Sequence, residues 1–92
     1  MITVVELTYK VPIADIEAAT ADHRAYLRTL LDKGLLLISG PLSPRTGGIL
    51  LLKTESLDEA WALVKDDPFF ARNLAEYSLR LWNPVMGVER LA

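Results

Sequence analysis

The chain holds a single histidine and no cysteine, so proton transfer at neutral pH falls to one side chain, His23. Imidazole has an unperturbed pKa close to neutrality, which suits it to take up and return a proton. His23 lies on an apolar stripe at helical spacing, with Ile16, Ala19, Leu27, Leu30 and Leu31. A histidine facing inward needs a hydrogen-bonding partner, a need met equally by a tethered core histidine and by a general acid or base. The candidate partner is Asp67, in the stretch KDDPFF from Lys65 to Phe70. An Asp directly before Pro is also sound chemistry for starting a helix, with Asp67 as N-cap and Pro68 in the first helical position. Capping does not call for Phe69 and Phe70. They read as core plugs or as an apolar wall around the carboxylate, while Asp66 reads as solvated charge. A third element is Ser39-Gly40-Pro41: a hydroxyl beside a glycine that permits close backbone approach, or an ordinary strand exit.

Other chemistries lack their residues. Without cysteine there is no disulfide, thiolate metal site or cysteine nucleophile, and one histidine with carboxylates is a poor ligand set for zinc. The sequence has no Gly-rich phosphate loop, nucleophile elbow or metal-spaced carboxylate cluster.

A succession of strands and helices must position these residues. ITVVELTYK, residues 2–10, is rich in β-branched residues and reads as a strand. From Ile13 or Asp15 to Lys33 the pattern is helical, and Gly34 stops it. LLLISGP, 35–41, reads as a strand buried on both faces. LSPRTGG, 42–48, reads as a turn and ILLLKT, 49–54, as the next strand. SLDE, 56–59, matches a capping box, with Glu59 reaching back to Ser56. It opens a helix whose inner stripe is Leu57, Ala60, Trp61 and Val64 and which ends near Asp66. A short helical piece starts at Pro68. EYSLRLW, 76–82, alternates, with Tyr77, Leu79 and Leu81 on one side. Residues 83–92 form a tail, read as a short strand or as a segment crossing to a partner.

The order βαββαβ predicts an α+β, ferredoxin-like fold: a four-stranded antiparallel sheet with two helices on one face. Both helices then share a face, which permits His23 and Asp67 to meet. Residues 35–39 and 49–52 are apolar on both faces, and the helices cover only one. Hydrophobic residues make up 51% of the chain. A homodimer through the open sheet face accounts for both observations.

The 92 residues fit one domain, 1–92, with little room for a second. A net charge of −2 with both signs scattered offers no footprint for nucleic acid and no polybasic membrane patch. The first ten residues do not read as a secretory signal, and no apolar run approaches the length of a membrane span. The expectation is a soluble, cytoplasmic protein.

DHRAYLRTLLDKGLLLISGP, then SLDEAWALVKDDPF, then LRLWNP, resembles the YciI-like family, also called YCII-related domains. The resemblance runs from the first strand to Trp82. It is carried by a His before Tyr-Leu, a Gly-Pro closing the second strand, an Asp-Pro-Phe and a Trp in the last strand. It implies a ferredoxin-like dimer of the dimeric α/β-barrel superfamily with a His-Asp acid/base pair, here His23 and Asp67. Members of the wider group include a dehydrochlorinase acting on a chlorinated hydroxyquinol and muconolactone isomerases. The implied chemistry is proton transfer on a small, aromatic-derived substrate without a cofactor, as in a lyase or isomerase, with Ser39, Gly40, Pro41, Phe69 and Phe70 lining the substrate site. The chain departs from the family twice. Thr20 stands where an Arg often precedes the His by three residues, and Asn73 where a glycine often follows Asp-Pro-Phe. The alternatives are a non-catalytic domain that binds a small metabolite or serves another enzyme, and a purely structural dimer.

Overall fold

A computed structural model describes residues 1–91. The elements are β1 (Ile2–Tyr9), α1 (Ile13–Asp32), β2 (Leu36–Pro41), β3 (Gly47–Lys53), α2 (Leu57–Val64), α3 (Pro68–Ala71) and β4 (Ala75–Trp82), followed by a 3-10 turn, Val88–Leu91. The strands form one antiparallel sheet in the order β2-β3-β1-β4. This is the expected α+β, ferredoxin-like arrangement. Among the described residues no helix is long and apolar enough to cross a membrane.

The core lies between the helices and one sheet face. Strand alternation sends Val5 and Leu7 of β1 and Leu50 and Leu52 of β3 into it. Ile16, Ala19, Leu27 and Leu30 of α1 meet them. Leu31, expected on the same stripe, is 40% exposed, being one position further round the helix. Gly34 ends α1 with φ 74°, and the Leu35 amide donates to the Leu30 carbonyl at 2.9 Å. Glycine supplies this left-handed turn without steric cost.

Several local expectations are corrected. The Ser56 hydroxyl caps α2, accepting from the Glu59 amide at 3.1 Å. The Glu59 carboxylate, however, reaches the Glu55 amide at 2.6 Å, not Ser56. Ala60 and Val64 carry the inner face of α2, while Leu57 and Trp61 are each 39% exposed. The glycines expected in the β2–β3 turn are strand residues. Gly47 pairs with Thr8, and a Cβ at Gly47 would lie 1.8 Å from the Leu7 carbonyl oxygen. Glycine is required there by close backbone approach. Among the described residues the tail forms a 3-10 turn, Val88–Leu91, and adds no strand.

A register shift between Leu36 and Ile38 sets the far half of β2. Past it, Ile38 faces away from the helices and is 52% exposed. Ser39 pairs with the buried Leu50 and so faces the helix side, as does Pro41. The opposite sheet face presents Val4, Ile38, Ile49, Leu51 and Trp82.

Candidate active site

Asp67 caps α3 as its sequence context predicts, with Oδ1 accepting from the Phe69 amide at 3.0 Å. The cap is also the hub of a wider network. The Asp67 side chain is 1% exposed, and its Oδ1 lies 2.7 Å from His23 Nδ1. Oδ2 accepts from the Tyr77 hydroxyl at 2.6 Å. A buried carboxylate is costly unless hydrogen-bonded; here three donors converge on it from α1, α3 and β4.

The sequence places Tyr77 only on one side of its strand, with Leu79 and Leu81, and does not show its partnership with Asp67. Burial raises the Tyr77 pKa far above its ordinary value, and the neighbouring Asp67 charge and hydrogen bond raise it further. Its hydroxyl therefore stays a donor. Tyr26, on α1, is also shifted upward, by burial and then by the charges of Asp66 and Asp67. Its hydroxyl donates to the Leu63 carbonyl.

The carboxylate can only accept, so His23 Nδ1 carries the proton of that hydrogen bond and Nε2 of the neutral ring keeps its lone pair. Phe69 stacks on the imidazole, centroids 3.8 Å apart and planes 2° from parallel. The ring is thus fixed from two directions. Nε2 makes no hydrogen bond to a described residue. Yet no buried side-chain nitrogen or oxygen among the described residues lacks a partner, so Nε2 is accessible. Such an imidazole can accept a proton at Nε2 and hold the resulting cation against Asp67.

A cavity of about 190 Å³ opens beside the ring. Of the residues expected around it, His23, Phe69, Ser39, Gly40 and Pro41 line it. Asp67 lies behind the imidazole rather than on the wall. Phe70 does not line the cavity, which corrects the expectation for it. It packs edge-on against Trp61 at 5.9 Å and Tyr77 at 5.2 Å. Successive helical residues point in different directions, so Phe69 and Phe70 cannot share one wall. Two residues that sequence reasoning missed, Arg24 and Arg45, also line the cavity. Neither stands in a motif that marks it.

The family departures have local accounts. Thr20 lines the cavity while its hydroxyl donates back to the Ile16 carbonyl at 2.7 Å. Asn73 has φ 58°, a left-handed conformation that asparagine tolerates better than most residues in place of glycine. Among the described residues no three His, Cys, Asp or Glu side chains gather as metal ligands do.

A family model described as the YCII-related domain matches residues 2–83. The uncharacterized protein YjpA of Bacillus subtilis (strain 168) is 32% identical over 62 residues, covering 67% of this chain and 73% of YjpA. Among solved structures, 5-chloro-2-hydroxyhydroquinone dehydrochlorinase (TftG) from Burkholderia phenoliruptrix AC1100, in complex with 2,5-dihydroxybenzoquinone, superposes with a TM-score of 0.77. That match is 24% identical and covers 90% of this chain and 94% of the dehydrochlorinase. With its sheet order, its Asp-Pro-Phe helix start and a model match across nearly its full length, the chain belongs to the YCII-related domain family.

Proposed function

We propose that the protein is a cofactor-independent acid/base enzyme, lyase or isomerase in type, acting on a small, aromatic-derived molecule. The observation that carries this reading is the anchoring of His23 Nδ1 on buried Asp67 at 2.7 Å, with Nε2 left open beside the cavity. In the proposed step Nε2 takes a proton from a substrate carbon. The electron pair of the broken C–H bond forms a new double bond. Either a leaving group departs with its own bonding pair, or an existing double bond shifts and the proton is returned at another carbon. Asp67 keeps the tautomer and balances the imidazolium charge. Phe69, Ser39, Gly40 and Pro41 shape the site. The dehydrochlorinase activity and quinone ligand of the structural neighbour support the substrate class.

The test is solvent-deuterium entry into carbon positions of hydroxyquinols, lactones and small carboxylates, followed by NMR. His23→Gln is expected to lower exchange or turnover by about 10²–10⁴-fold, and Asp67→Asn to lower it in the same direction. Exchange indifferent to His23→Gln overturns the reading. One observation favours an alternative: apart from His23, no side chain on the cavity wall ordinarily titrates near neutrality. Ligands bound but never exchanged or converted, even by the wild type, would select a small-metabolite-binding domain. The apolar residues of the open sheet face support a homodimer formed through it, each copy covering the other's Val4, Ile38, Ile49 and Leu51.

A further inference from the structure

Two arginines that the acid/base step does not use are among the residues lining the cavity. Arg24 follows His23 on α1, and Arg45 lies in the connection between β2 and β3. No carboxylate lines this wall. Asp67, behind the imidazole, is engaged by His23, the Phe69 amide and Tyr77. Among the described residues neither arginine forms an ion pair, whereas Lys10 pairs with Glu76 and Arg72 with Asp22. The chain as a whole is negative, with a net charge of −2, so the positive charge of this wall runs against the sign of the molecule. Guanidinium groups hold their charge at any ordinary pH, and their fork of donors matches a carboxylate.

We infer that the cavity takes a small organic acid of about one ring, whose carboxylate is held by Arg24 and Arg45 while its reacting part meets His23 Nε2. The size is consistent. A cavity of ~150 Å³ accepts benzene, and this one measures about 190 Å³, which leaves room for a substituent. The two charges also act on the chemistry. When Nε2 removes a proton from a carbon in conjugation with the carboxylate, the negative charge spreads toward the cations, where it is stabilised. The inference rests on the reading of this cavity as the ligand site, but its test requires no turnover.

The probes are 2,5-dihydroxybenzoate and the matching amide, 2,5-dihydroxybenzamide, equal in shape and different in charge. Binding is read from NMR shifts of the His23 ring and the Gly40 and Gly48 amides. The wild type is expected to prefer the carboxylate by roughly tenfold or more, with the preference falling as salt rises. Arg24→Gln and Arg45→Gln should each reduce it, and the double variant should bind both probes alike. Lysine at either position should keep part of the preference. Both arginines are exposed, so an unchanged amide spectrum away from the cavity verifies folding. Equal wild-type affinities, a preference that survives in the double variant, or no binding of either probe at millimolar concentration each overturn the inference. A carboxylate preference retained in His23→Gln establishes the anion site even if the proton-transfer reading fails. Turnover without such a preference does the reverse.

Discussion

Asp67 does two jobs with one oxygen: Oδ1 serves the Phe69 amide and His23 Nδ1 together. The helix cap therefore sets the position of the histidine's anchor, and the capping and acid/base readings of the sequence are complementary. Tyr77 completes the arrangement, and its phenol makes a prediction at alkaline pH. Its folded pKa is raised above the unfolded value of 10.0. At pH above that value the unfolded chain releases the proton and the folded chain keeps it. Stability is therefore full below pH ~10 and falls above it, by about 1.4 kcal/mol per pH unit for each such phenol. Chemical denaturation across that range should show Tyr77→Phe with a shallower decline than wild type. At neutral pH the same variant should be less stable by about 1–3 kcal/mol, because Oδ2 loses its donor. Parallel declines in the two proteins would refute the assignment.

At the scale of elements, strand and helix order follows from periodicity and punctuation. The capping residues Ser56 and Asp67 and the stop at Gly34 act where their chemistry places them. What sequence could not supply is contact across the fold. Glycines 47 and 48 carry a turn signature, yet they lie in β3 because β1 passes too close for any side chain at Gly47. Gly47→Ala would force backbone to move, since the obstructing atom is the Leu7 carbonyl rather than a flexible side chain. A loss of at least about 2 kcal/mol is expected in thermal or denaturant unfolding. A neutral result would mean that β1 and β3 separate readily. The site was legible in part for the same reason. Helical phase separates Phe69 from Phe70 only once the course of α3 is known, and Arg24 and Arg45 carry no motif, so their convergence depends on how α1 and the β2–β3 connection are placed. The β2 register shift, which turns Ser39 and Pro41 toward the helices, left no mark in an uninterrupted apolar run.

At the scale of the whole molecule, the two sheet faces are unequal. One is closed by helices, and the other presents Ile38 at 52% and Trp82 at 46% exposure. In the proposed dimer a charge buried within the interface is strongly unfavourable, so Ile38→Glu should convert that dimer into a folded monomer, read by sedimentation and circular dichroism. A wild type that sediments as a monomer, or an Ile38→Glu variant that stays dimeric, would exclude docking through this face. A different consequence follows from the stack of Phe69 on His23, with centroids 3.8 Å apart. A ring face so close shields the imidazole protons, and the chain has no second histidine to overlap them. Their resonances should stand apart, upfield of free imidazole, giving the protein a built-in, label-free probe of whatever enters the cavity.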